Sequence, residues 1–331
     1  MTGLASAGAV GDLTYRPVRT DELEACAEIW RVSINDYIGR LGQPEILSET
    51  GPLVRLYRHL AATDPERFVV AVRAGGAPDE DEVVAFVASI VRERLWFLSM
   101  LFVAPEIQAA GIGRALLARV MPPGGTAGDA GPMTMATATD AVQPISNALY
   151  ATYGIVPRMP LLDASGLVER PEAFGSLPSG VTPVPFEAIA GGSPDGAGHR
   201  ELADAVDALD REVLGVAHPD DHRYLRGEAR RGWLYRGPDG AALGYGYATE
   251  AGRVGPVAVR DADLLAPVLG HLTSAVQPRG AFALWLPGSA DRAVVPALRA
   301  GLRLDQFPIL LCWDRPFADF SRYLPISPGL L

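Results

Sequence analysis

Residues 95–120, LWFLSMLFVAPEIQAAGIGRALLARV, constrain the fold of this chain more than any other stretch. The apolar run from Leu95 to Val103, broken only by Ser99, reads as a buried strand that Pro105 stops. Leu116, Leu117 and Val120 fall on one face of a helix. Between strand and helix lies Gln108-Ala109-Ala110-Gly111-Ile112-Gly113. Glycine lets a ligand come close to the backbone. A helix that opens on the turn adds unpaired first-turn N–H donors and the positive end of its dipole. The expected result is an anion site suited to a diphosphate. Three patterns compete for it. A Walker loop requires Gly-Lys-Ser/Thr, but Gly113 is followed by Arg114 and Ala115. A dinucleotide fingerprint requires a third small residue where Leu116 stands. The pattern Q/R-x-x-G-x-G/A is met without a gap by Gln108, Gly111 and Gly113.

The whole chain bounds what this site can belong to. At 331 residues it is long enough for two domains of ordinary size, and 48% hydrophobic residues suit globular α/β structure. No apolar run approaches the roughly 20 residues that span a bilayer, so no membrane association is expected. Residues 1–12 lack a basic n-region and read as a mobile tail rather than a signal peptide. Cys26 and Cys312 stand far apart with no C-x-x-C, which gives no disulfide framework and makes a cytoplasmic location the expectation. A net charge of −10 with no basic stripe argues against nucleic acid as a partner. All 29 basic residues are arginine, which reflects a GC-rich coding sequence more than a function.

Periodicity places the elements in order. A strand at 13–19 leads into a helix capped by Thr20 or Asp21 and running through Trp30, followed by a loop at 35–42. A second helix follows Thr50-Gly51-Pro52 to about Leu60. Strands at 67–72 and 83–91, joined by a turn at 75–81, precede the opening strand, so three antiparallel strands come in succession. After the glycine turn and its helix come a Pro/Gly linker at 122–132, a strand at 133–137, a helix at 141–153 closed by Gly154, and a strand at 155–162.

The order β-α-α-β-β-β-α-β-α-β, with Val103-Ala104-Pro105-Glu106 and the glycine turn after the fourth strand, resembles the GCN5-related N-acetyltransferase (GNAT) superfamily. Leu149-Tyr150-Ala151-Thr152-Tyr153-Gly154 is similar to that family's "LYxxxG" segment. The resemblance covers residues 13–162. It implies acetyl-CoA as cofactor, its diphosphate held by Gln108, Ala109, Ala110, Gly111, Ile112, Gly113 and Arg114. The backbone of Leu101, Phe102 and Val103 would pair with the pantetheine arm, and Asn147 would add a cofactor contact. Tyr150 matches the family's general acid. A phenol, with a reference pKa of about 10 against about 8.5 for a thiol, suits a leaving thiolate. The same residue also reads as an aromatic that packs the helix onto the sheet. The fourth strand holds no acid, so the base is not identified; Glu93, just before it, is a possible base, and Asp36 lies in the loop after the first helix.

The activity implied is transfer of an acetyl group to an amine of a small molecule or peptide, by direct attack in a ternary complex. Two other classes compete. A non-catalytic acyl-CoA sensor is favoured by the missing base. A nucleotide-binding oxidoreductase requires a parallel sheet, which the successive antiparallel strands contradict.

A Pro/Gly/Ser-rich linker, centred on 171–180, separates residues 13–170 from a second pass through the same elements at 181–331. The expected fold is therefore α/β (α+β): two tandem GNAT-like domains, each a mixed, mostly antiparallel sheet flanked by helices. A flexible loop at 191–198, helices at 199–214, 219–231, 262–276 and 290–300, and strands at 181–186, 233–235, 242–249, 253–259, 281–286 and 307–313 make up the second copy. Placing Gly301 on Gly154 puts Ala297 on Tyr150, Val294 on Asn147 and Ala293 on Ser146. Val259 matches Val103, but Arg260-Asp261-Ala262-Asp263-Leu264 follows it without glycine. The second domain is thus expected to lack the cofactor site and to complete the acceptor pocket, a homodimer contact, or both. His218 and His222, with Asp220 and Asp221, imitate a metal cluster, but Pro219 argues against one shared helix face and the aspartates read as N-caps. No metal is expected.

Overall fold

A computed structural model describes residues 13–75, 81–108, 110–122, 133–191 and 196–331. The expected tail at 1–12, the linker beyond Pro122, parts of the 75–81 and 191–198 loops, and Ala109 lie outside the described residues. The chain forms two compact units, one of Met1–Val91 with Trp96–Gly125, the other of Arg92–Leu95 with Thr126–Leu331. Among the described residues no helix is long and apolar enough to cross a membrane.

The first unit contains β1 (Leu13–Pro17), α1 (Leu23–Arg40), α2 (Gly51–Thr63), β2 (Phe68–Arg73), β3 (Glu82–Arg92), β4 (Leu95–Val103) and α3 (Ile112–Val120), the order expected from the sequence. Its strands run β1-β2-β3-β4. Leu13 lies opposite Arg73, and Phe68 opposite Ala88, in antiparallel pairs. β2 is buried on both faces up to Arg73, which is why it reads as an unbroken apolar run rather than an alternation. Tyr57 of α2 meets Phe68 and Phe86 edge-on, with ring centroids 5.6 and 5.4 Å away. Such geometry adds to the roughly 1.5–3 kcal/mol that burial of each large apolar side chain contributes. Trp96 Nε1 donates to the Val120 carbonyl at 2.9 Å, tying the start of β4 to the end of α3.

Two local expectations are corrected here. The loop placed at 35–42 is helical up to Arg40. Asn35 does not compete with its own helix, because its amide both donates to the Ile46 carbonyl (3.1 Å) and accepts from the Ile46 N–H (2.8 Å). At the other end of α1 neither Thr20 nor Asp21 caps the helix. A 3-10 turn, Thr20–Glu22, leads in, and the buried Glu22 carboxylate accepts from the Arg19 N–H at 2.8 Å while pairing with Arg16 at 2.5 Å.

The second unit begins with the hairpin tip at 92–95 and continues through β5 (Thr134–Asp140), α4 (Pro144–Ala151) and β6 (Val156–Gly166), the end of the first repeat. The second repeat follows as β7 (Thr182–Pro185), α5 (Phe186–Ala190), α6 (Ala197–Val213), α7 (Pro219–Gly227), β8 (Arg231–Arg236), β9 (Ala242–Ala248) and β10 (Val254–Val259). It ends with α8 (Leu265–Ala275), β11 (Phe282–Pro287), α9 (Asp291–Ala300), β12 (Arg303–Leu304), β13 (Ile309–Trp313) and β14 (Tyr323–Leu324). One sheet runs β14-β10-β9-β8-β7. The fold is thus mixed α/β, two tandem copies with mostly antiparallel sheets flanked by helices. The match of the two copies shows in their last helices. Gly154 after α4 and Gly301 after α9 both adopt positive φ, +80° and +116°. In each the next residue's N–H reaches back five positions, Ile155 to Tyr150 and Leu302 to Ala297.

The repeats exchange their final strands. β13, the last long strand of the second repeat, lies between β5 and β6 of the first. Cys312 faces Thr137 on one side and Pro157 on the other. β6 in turn extends past the expected end at Leu162, and its second half pairs with β11, Leu161 facing Pro287 and Gly166 facing Phe282. The segment at 171–180 is packed rather than loose. Pro171–Phe174 forms a 3-10 turn, Phe174 enters the core with Leu269 and Leu302, and the N–H groups of Glu169 and Arg170 both bond the Ala300 carbonyl.

Candidate functional site

In the first unit, β4 ends at Val103 and the 3-10 turn Pro105–Ile107 carries the chain to the glycine turn. Ile112, Leu116, Leu117 and Val120 are buried, so α3 sits on the unit's core by one face. Gly111 is its N-cap, with φ +80°, and no atom lies within 4 Å of where a Cβ would stand. The first helical bond runs from the Ala115 N–H to the Gly111 carbonyl at 3.0 Å. The N–H groups of Ile112, Gly113 and Arg114 precede that bond, and no side chain caps them. They form a row of donors at the positive end of the helix, beside a residue that leaves the approach open.

The turn is tied to the strand. Gln108 Nε2 donates to the Val103 carbonyl at 3.0 Å, and Ser33 Oγ of α1 donates to the same oxygen at 3.1 Å. The sequence does not single out Ser33, because one serine on an amphipathic helix carries no distinguishing signal. Leu101, Phe102 and Val103 are half-buried, and Phe102 stacks on Phe86 with centroids 5.7 Å apart. Ala110 and Arg114 are exposed.

In the second unit, Tyr150 on α4 is 5% exposed. Burial pushes its phenol well up, with Cys312 adding to the shift and the Ser146 hydroxyl opposing it. Asn147 Nδ2 donates to the carbonyls of Asp140 (3.0 Å) and Gln143 (2.8 Å), closing the turn from β5 into α4. Its Oδ1 is buried without a hydrogen-bond partner. Glu93 stands at the exposed hairpin tip at φ +47°, and its Oε1 accepts from Arg211 Nε at 2.8 Å. Asp36 is bound to Arg40 on α1.

The corresponding position of the second repeat is built differently. Asp261 follows Arg260 after β10 and caps the 3-10 turn Ala262–Leu264, its carboxylate accepting from the Asp263 N–H at 3.0 Å. Arg260 pairs with Glu212 and Asp263 with Arg292. The place that glycine leaves open in the first repeat is taken here by the chain's own carboxylates.

The expectation that Pro219 would keep His218 and His222 apart is corrected. His218 is the N-cap of α7 and His222 lies one turn in, with ring centroids 4.3 Å apart. Asp221 is no N-cap either; it is 1% exposed and takes a bidentate ion pair from Arg92. Asp210 of α6 joins them, an acid the sequence reading passed over.

Comparison with known proteins agrees with this architecture. Residues 37–154 match the family model of the acetyltransferase (GNAT) family. No curated protein matches the chain. Among solved structures, one of a protein from Pyrococcus horikoshii classed with the acetyltransferases has a TM-score of 0.66 at 13% identity, covering 100% of both chains. A GCN5-related N-acetyltransferase from Sphaerobacter thermophilus gives 0.54 at 18% identity over 94% of this chain and 98% of its own. A tandem GNAT protein from the clavulanic acid biosynthesis pathway gives 0.51 at 16% identity over 92% and 99%. At these identities the likeness is one of fold.

Proposed function

Since residues 37–154 match the acetyltransferase (GNAT) family model and the chain has a tandem GNAT fold, we propose that it is an acetyl-CoA-dependent N-acetyltransferase acting on an amine of a small molecule or peptide. The observation that carries this reading is the open start of α3. Gly111 at φ +80° and three uncapped N–H groups suit a diphosphate and leave room for it. The orphaned Asn147 Oδ1 fits a cofactor contact as well. Gln108, Gly111, Ile112, Gly113 and Arg114 would hold the diphosphate, and Leu101, Phe102 and Val103 would flank the pantetheine arm. Acetyl-CoA, when bound, supplies an activated thioester. The half-buried backbone at 101–103 orients it and offers N–H groups toward developing negative charge. Tyr150 keeps its proton on Oη across the neutral range, because burial disfavours the phenolate. It acts as a hydrogen-bond donor toward a leaving thiolate. With Glu93 occupied by Arg211, the amine's proton leaves through water rather than through that carboxylate. The second repeat, with Asp261 in the corresponding place, is assigned no cofactor site.

A non-catalytic acyl-CoA sensor is the competing reading, favoured by the engagement of Glu93. Calorimetric titration with acetyl-CoA, followed by an amine panel assayed on wild type and Tyr150→Phe, separates the two. One molecule bound per chain, with turnover that Tyr150→Phe lowers, supports the enzyme. Absence of binding sinks both readings, and binding without turnover of any amine supports the sensor.

A further inference from the structure

The second unit contains a buried polar cluster that acyl transfer does not use. Asp210 of α6, His218 at the start of α7 and His222 within α7 are 0%, 2% and 2% exposed. One ligand-capable atom from each lies within 4.8 Å of the other two. Asp210 Oδ2 is 2.8 Å from His222 Nε2 and 3.3 Å from His218 Nε2. Donors around a tetrahedral zinc ion stand about 3.3 Å from one another, given metal–ligand distances of about 2.0–2.1 Å.

His218 supplies the independent observation. Neither of its ring nitrogens makes a hydrogen bond of good geometry, although the side chain is sealed from solvent; their nearest acceptors are Asp210 Oδ2 at 3.3 Å and Asp221 Oδ2 at 3.5 Å. An unsatisfied buried polar group costs about 1–3 kcal/mol. The Asp210 oxygen that Nε2 faces at 3.3 Å also lies 2.8 Å from His222 Nε2, so both rings converge on one carboxylate oxygen.

The surroundings complete the argument, because each candidate ligand has a group behind it. Tyr245 donates its hydroxyl to Asp210 Oδ1 at 2.5 Å, leaving Oδ2 directed at the histidines. His222 Nδ1 is 2.9 Å from the Tyr247 hydroxyl, which fixes the ring so that Nε2 faces inward. His218 Nδ1 faces Asp221 Oδ2 at 3.5 Å, and Arg92 holds that carboxylate at 2.8 and 2.7 Å. Metal-ligating histidines characteristically have such a carboxylate or hydroxyl on the far nitrogen.

We propose that Asp210, His218 and His222 form a structural site for one divalent transition metal ion, zinc being the ion that two imidazoles and a carboxylate fit best. The site joins α6 to α7 and, through Asp221 and Arg92, to the hairpin tip at 92–95. Its burial assigns it to holding the unit together.

Metal content of the untagged full-length protein, prepared in zinc-supplemented medium and again after refolding with Zn2+ or Co2+, tests the proposal. About one equivalent per chain is expected, and the Co2+ form should show the intense visible bands of tetrahedral coordination. His218→Ala should abolish binding. Tyr247→Phe, which removes no ligand, should weaken it about tenfold, while Asp220→Asn at the exposed Asp220–Arg223 pair should leave it unchanged. Metal-free wild-type protein with no Co2+ spectrum after refolding overturns the proposal, whether or not the variants fold. Undiminished binding in a folded His218→Ala variant overturns it too.

Discussion

Gln108 Nε2 donates to the Val103 carbonyl at 3.0 Å, so the residue that opens the glycine turn is fastened to the residue that ends β4. Ser33 bonds the same oxygen from α1. The turn is therefore positioned before any ligand arrives, and both donors come from side chains that can be removed singly. Gln108→Ala should weaken acetyl-CoA binding by about fivefold, the equivalent of about 1 kcal/mol for one net hydrogen bond. Titration calorimetry reads the change. Ser33→Ala should act in the same direction, and the double variant should show whether the two donors are independent.

Gly111 separates backbone strain from ligand contact. A Cβ there meets no atom, so Gly111→Ala costs only the positive φ, about 1–2 kcal/mol of stability in urea unfolding. Gly111→Glu adds a negative charge beside the helix donors and should lower acetyl-CoA affinity by more than about tenfold. The matching experiment at the second repeat, Asp261→Ala, should leave affinity and stoichiometry as they were. A second binding event in either protein would contradict the assignment of one site.

The strand exchange makes a prediction about truncation. Ending the chain before Ile309 removes β13 and leaves β5 and β6 with exposed edges in the middle of a sheet. Such a chain is expected to aggregate and to lose its cooperative thermal transition. A monodisperse, cooperatively melting product on size-exclusion chromatography and calorimetry would show that β13 is dispensable.

Alkaline pH should destabilise the protein in a defined window. Burial raises the Cys312 thiol from its ordinary 9.0 to about 12, and raises Cys26, Tyr57, Tyr150 and Tyr235 as well. Each group binds its proton more tightly folded than unfolded. The stability this contributes is complete below the unfolded values, about 9 for thiols and about 10 for phenols, and is lost as pH rises beyond them. The contribution of these thiols and phenols to urea midpoints should be flat toward pH 8 and fall from about pH 9 upward. Below that range neither cysteine should react with a thiol reagent until the chain unfolds, since both are buried.

The element order was legible because each helix and strand carries its own period, and the turns are marked by proline and glycine. Gly111 and Gly154 adopt the positive φ values that their places in the pattern require. The strand exchange was not legible. Residues 309–313 read as a strand with any partner, and a period of two does not say which neighbour the strand will find. β14 was missed because two residues carry no period at all. The cluster around Asp210 was half legible. His218 and His222 stand out in the sequence, but Pro219 between them suggests separate faces, whereas the helix starts at that proline, with His218 as its N-cap and His222 one turn in. Leu202, Val206, Leu209 and Val213 form the buried stripe of α6, and Asp210 stands four residues after Val206 on that stripe. A carboxylate there requires a partner, and that was the overlooked signal.

A duplicated gene ordinarily leaves a spare copy that can drift or be deleted. In this chain the copy without the glycine turn still lends β13 to the sheet of the other, between β5 and β6. Losing it would remove the internal strand that joins β5 to β6. Selection on the first half alone is then enough to preserve the second, while the surface of that second half is left free to acquire a new role.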